Sequence, residues 1–175
     1  MLTPERIMQM AWGYAPPLII EAAVRHGVFD SLDQSPKTVP QLAKQTRASE
    51  RGLAAILNAL VGLQLLVRNG ARYALTAESA AFLVASRSPY YGAFFRHTTE
   101  QLIPKWLRIT DVVRTGRPAR AVNGEQIGAK FFANFVESLF PLSYAAARAL
   151  GEHLQISQAK APLNVLDIAA GSGVW

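Results

Sequence analysis

A chain of 175 residues, half of them apolar, is long enough to bury a real core and too apolar for general disorder. Its 18 basic and 12 acidic residues leave a net charge of +6, but the basic residues are scattered, which suits a local imbalance better than a dedicated polyanion surface. With no cysteine there is no disulfide and no thiolate metal site, and His26, His97 and His153 stand too far apart to form a metal-ligand pair.

Thr3-Pro4-Glu5 reads as a helix start, with Thr3 as the cap and Pro4 in the first turn. Ile7, Met10, Ala11 and Tyr14 then share one face. Pro16-Pro17 break this helix and begin another, whose buried face is expected to be Leu18, Ile19, Ala22 and Ala23 and whose end is Gly27. Residues 38–75 read as a winged helix. Thr38 caps a short helix with Leu42 and Ala43. Ser49 caps a longer one carrying Leu53, Ile56, Leu57, Leu60 and Val61 at helical spacing. A two-stranded wing follows, Leu65–Arg68 and Arg72–Leu75, joined at Asn69-Gly70. Thr76 then caps a helix from Ala77 to Val84.

Beyond Ser88-Pro89 a long helical region carries Phe94, Phe95, Leu102, Trp106, Ile109 and Val113, with Pro104 kinking or dividing it. Thr115-Gly116-Arg117-Pro118 is a breaker and marks a domain boundary. Two helices are expected at about 124–138 and 141–154, then a polar linker to Pro162. No signal-peptide pattern opens the chain and no apolar run reaches the ~20 residues of a membrane span, so a cytoplasmic protein with no membrane partner is expected.

The last eleven residues carry the most information. Val165-Leu166-Asp167-Ile168 suits a buried parallel strand, and Ala169-Ala170-Gly171-Ser172-Gly173 a tight loop that lets backbone approach a ligand. Such a loop normally feeds a helix whose N-terminal amides face that ligand. A dinucleotide fingerprint is one reading, but its third glycine would fall beyond Trp175. An ordinary strand-to-helix turn is another.

Asp167-Ile168-Ala169-Ala170-Gly171-Ser172-Gly173 resembles the first motif of class I S-adenosylmethionine-dependent methyltransferases, with Ala169 where a glycine usually stands. Ala11–Pro17, Glu21–Val24 and Gly27–Asp30 resemble the N-terminal dimerisation domain of plant-type and bacterial O-methyltransferases. Lys130-Phe131-Phe132 through Phe140-Pro141 is similar to the helical lead-in of their catalytic domain. The resemblance implies a mainly α fold with three parts. A winged-helix-like dimerisation domain spans 1–115, a helical linker 116–161, and 162–175 start a Rossmann-like α/β domain that is incomplete. It implies S-adenosylmethionine as cofactor, held by Asp167, Ala169, Gly171 and Gly173, a homodimer, and a small-molecule acceptor methylated on a hydroxyl. Trp12, Phe131, Phe132 and Phe135 are candidate walls of the acceptor pocket, against the plain alternative of core packing. No residue is assigned as catalytic and none as a metal ligand. The lone strand would lack ladder partners, so the chain by itself is expected to be inactive.

Two other functions stay open at this stage. A stand-alone dimerising or regulatory module needs only the apolar N-terminal helices, whose Met8, Met10, Trp12, Tyr14, Leu18, Ile19 and Ile20 cannot all face one small core. DNA binding would use the Ser49–Leu63 helix in a major groove with Arg47, Arg51, Arg68 and Arg72 on phosphates. That helix offers mostly alanine and leucine, and Glu50 would repel the backbone, so nucleic acid is not the expected partner.

Overall fold

The computed structural model describes residues 2–119, 125–168 and 173–174, the side chains of 125–135, 137 and 138 excepted. The chain divides into two compact units, Met1–Leu107 and Arg108–Trp175. In the first, α1 (Glu5–Trp12), α2 (Ala15–Arg25) and α3 (Val28–Leu32) lead to the short strand β1 (Lys37–Thr38). Then come α4 (Val39–Thr46), α5 (Glu50–Gly62), β2 (Leu66–Asn69), β3 (Arg72–Leu75) and α6 (Ala77–Phe82). The unit ends with α7 (Gly92–His97), a π turn (Thr98–Leu102) and α8 (Ile103–Trp106). The second unit holds α9 (Ile109–Thr115), the long α10 (Glu125–His153) and a 3₁₀ turn (Ile156–Gln158). The architecture is mainly helical with one small antiparallel sheet in the order β1-β3-β2. No helix among the described residues is long and apolar enough to cross a membrane.

The caps expected at Thr38, Ser49 and Thr76 all form. The Gly52 amide donates to Ser49 Oγ at 3.0 Å, and the Thr76 amide donates to Ser79 Oγ at 3.1 Å in a reciprocal box. The cap expected at Thr3 does not, because α1 starts one residue later with Pro4 at the cap position and no side-chain bond. Leu42, Leu53, Leu57 and Leu60 are buried together with Ala23, Val28, Phe29 and Leu66, so the spacing read on α5 does mark the core. On α2 the buried residues are Ile20, Glu21, Ala23 and Val24, while Leu18 is exposed and Ala22 half-buried. The stripe is rotated from the expected one because the acid Glu21 goes in.

The hairpin pairs Leu66 with Leu75 and Asn69 with Arg72. Its two-residue turn is therefore Gly70-Ala71, not Asn69-Gly70, and Gly70 takes the left-handed φ of +60° that this first turn position requires. β3 is fastened to α5 by Tyr73, whose buried ring places its hydroxyl to donate to Asn58 Oδ1 at 2.8 Å. Tyr73→Phe is expected to destabilise the fold by about 1 kcal/mol, since Asn58 stays open to water, and a urea midpoint series measures it.

Pro104 and Pro141 behave differently. In a regular helix the Pro104 ring would press on the Glu100 carbonyl, and the wide π turn over Thr98–Leu102 opens the backbone just there. Pro141 lies inside α10, which runs unbroken where two helices were expected. It removes one backbone donor, but its fixed φ is helical, so a long helix continues through it. The strand expected around Val165–Ile168 is not formed. Residues 162–167 carry no strand assignment, and Leu163, Val165, Leu166 and Ile168 are exposed. A parallel strand exists only through its neighbours, and no described segment pairs with this one.

Candidate functional site

Two of the four loop residues lie within the described part of the chain. Asp167 is exposed, its carboxylate available to a ligand. Gly173 has φ +64° with open space where a Cβ would stand, so the turn there is a glycine turn. Ala169 and Gly171 lie outside the described residues.

Of the aromatic wall candidates, Trp12 sits at the end of α1 and is 61% exposed, its ring 6.5 Å from that of Tyr14. Met8, Gln9, Trp12 and Pro16 line a shallow, open hollow on one side of α1. Core packing is thus excluded for Trp12. Phe131, Phe132 and Phe135 fall on α10, with side chains outside the described set.

The chain also buries an ionisable group that the sequence reading left out. Glu21 is buried on α2, where the Arg25 Nε donates to Glu21 Oε1 at 2.7 Å. The other arm of Arg25 donates to Glu100 Oε1 on the π turn at 2.7 Å. The i,i+4 spacing of Glu21 and Arg25 was the available signal. Both carboxylates raise the Arg25 pKa above its ordinary value, through hydrogen bonds first and charge second. The bridge to Glu100 is exposed and contributes little by itself.

His97 is buried at the end of α7, with His26 and His153 on the surface. Burial lowers its pKa below the usual 6.5, helped by the positive charge of Lys105. Folding therefore favours the neutral ring. The contribution is fully present above the unfolded pKa and is lost as pH falls below about 6.5 toward the lower folded value. Melting temperatures taken between pH 7.5 and 5.5 should fall, and His97→Gln should flatten that fall; an unchanged slope in the variant would assign the effect to other groups. Raised pKa at Tyr90 has the same physical cause, burial of a group whose charged form is penalised.

The residues offered for nucleic acid are partly engaged elsewhere. Arg68 lies over the Tyr73 ring at 5.5 Å and donates to the Gly70 carbonyl at 2.9 Å. Arg72 donates to the Pro36 carbonyl at 3.1 Å. Arg47 and Arg51 are exposed near the start of α5. Among the described residues no group of three or more metal-ligating side chains is drawn together.

Residues 8–85 match the profile of the O-methyltransferase dimerisation domain. The chain is 28% identical over 174 residues to a 3-hydroxy-5-methyl-1-naphthoate 3-O-methyltransferase of Streptomyces sahachiroi, in an alignment covering 97% of this chain and 50% of that enzyme. It thus spans half the length of that relative. Its fold is similar to a Nostoc punctiforme protein described as an O-methyltransferase, with a TM-score of 0.79 at 23% identity over 99% of this chain and 51% of the other. Human N-acetylserotonin methyltransferase, solved in complex with S-adenosylmethionine, is similar at a TM-score of 0.75 and 23% identity, over 90% of this chain and 50% of that one.

Proposed function

We infer that this chain belongs to the S-adenosylmethionine-dependent O-methyltransferases, with residues 8–85 as the dimerisation domain, and that it pairs two copies and supplies part of the pocket for a small hydroxyl-bearing acceptor. The observation that carries the reading is a single alignment to a naphthoate O-methyltransferase running nearly end to end. The succession β1–α4–α5–β2–β3 is read as a winged helix used for pairing, and residues 162–175 as the start of a Rossmann-like domain.

S-adenosylmethionine bound at this loop supplies a methyl group already activated on a sulfonium. Asp167 places a negative charge beside the cationic end and orders the loop. Ala169, Gly171 and Gly173 keep side chains out of the way so that backbone amides reach the ligand. Phe131, Phe132 and Phe135 give a flat apolar acceptor its walls and exclude water around the hydroxyl. No residue of this chain is assigned to take the hydroxyl proton.

Two assays test this. The 175-residue chain, titrated calorimetrically with S-adenosylmethionine, is expected to show no micromolar affinity, because the residues leading into the loop are exposed and unpaired. Micromolar binding would overturn the view that this segment needs neighbouring strands. The protein isolated from its native cell, given methyl-labelled S-adenosylmethionine and a hydroxynaphthoate, is expected to label oxygen. Label on nitrogen, or none across a panel of phenols, would overturn the acceptor class.

A further inference from the structure

α1 buries no residue in its own protomer, although Ile7, Met10, Trp12 and Tyr14 are all large and exposed. A helix of this kind is stable only when something else covers it. The covering partner is a second copy, since the matched domain is a dimerisation domain, and pairs of identical chains meet through self-complementary surfaces. Such a surface needs a recess as well as a ridge.

The recess lies between α2 and the start of α5. It holds about 240 Å³ and is bordered by Ala22, His26, Val28, Ser49, Gly52 and Ile56. Small residues on both helices create it. At Gly52 a Cβ would stand 3.0 Å from Ser49 Oγ, so glycine preserves both the open groove and the helix cap. The polar rim of Ser49 and His26 offers acceptors for a buried donor such as an indole N–H.

The register matches. Gly13 and Tyr14 keep right-handed helical dihedrals, so α1 and α2 run on as one bent rod. Its outward stripe is Ala15, Leu18, Ala22 and Arg25, none of them fully buried. Two such rods crossing antiparallel about a twofold axis, midway along that stripe, bring residue 12 of one copy level with the C-terminal end of α2 in the other, where Gly27 turns the chain into α3. Val28 and His26 both line the groove. We propose that this groove seats Trp12 of the partner subunit as the central anchor of the dimer. The proposal rests on the dimerising role inferred above and goes beyond it by naming knob and hole.

The test is a size swap in the full chain, followed by sedimentation, with thermal melts to show that each variant is folded. Trp12→Ala is expected to weaken the dimer by about 30-fold or more, as a hot-spot truncation does. Ala22→Phe, which fills the groove, should weaken it similarly. The double variant should recover much of the loss, because the bulk removed from the knob is returned in the hole. A dimer unmoved by Trp12→Ala overturns the anchor even if Ala22→Phe fails to fold. Additive losses with no recovery overturn the pairing of these two sites. A wild-type chain that is monomeric at micromolar concentration overturns the dimer itself, an outcome distinct from the other two.

Discussion

Phe29→Ala is expected to lower the stability of the first unit by about 3–5 kcal/mol. Phe29 is fully buried on α3, a helix of only five residues. So short a helix has no stability of its own, and its place depends on what its side chains fill. Phe29 packs in one cluster with Val28 and Leu32 of α3, Leu42 of α4 and the leucines of α5. Removing the ring takes away both its transfer from water and the contacts of its neighbours. Against a total of roughly 5–15 kcal/mol, the loss consumes much of the margin. For a unit of this size the melting temperature should fall by roughly 12 °C or more. A fall of only a few degrees would mean that α3 collapses into the space and that the core is more plastic than its burial suggests.

Deleting residues 1–14 should have the opposite signature. It should abolish dimerisation while leaving the core intact. α1 contributes nothing to the hydrophobic cluster, and its end is held by local bonds such as the Gly13 amide to the Met10 carbonyl at 3.2 Å. The distinguishing readout is concentration. A dimer is stabilised by mass action, so the full chain should melt higher as protein concentration rises, whereas the truncated chain should melt at one temperature throughout. Circular dichroism melts over a hundredfold concentration range decide it. A truncated chain that still shows the dependence would place the interface elsewhere on the molecule.

Much of the first unit was legible in the residues because its signals are local. The leucine spacing on α5 and the caps at Thr38, Ser49 and Thr76 depend only on nearby residues, and they appear as read. Where the reading failed, the deciding partner was distant in sequence or the alternatives were nearly equal. The α2 stripe rotated because Glu21 is buried beside Arg25, which also reaches Glu100 from another element. The hairpin moved its turn by one residue because Gly70 suits the first turn position as readily as the second. Prolines gave opposite outcomes at 104 and 141, since the rule forbids a bond and a clash but does not say how the backbone will relieve them.

The candidate site divides in the same way. Asp167 and Gly173 rest on their pattern alone, an acid followed by small residues. The strand that should present them could not be settled from pattern, since a parallel strand is a property of a sheet. Trp12 was chosen for its aromatic character, but its exposure is a property of the fold, and the groove at Ala22 and Gly52 left no sequence signal beyond small residues on two helices.

The wide turn at Thr98–Leu102 has a consequence for how relatives are compared. A π turn holds one residue more than an α turn, so the side chains beyond it are advanced by about 100° around the axis. A relative lacking that single residue would run a regular helix through the same place and turn a different set of positions outward where this chain exposes Trp106 and Leu107. Adding or removing one residue at this point therefore changes what that end of the helix presents without any substitution.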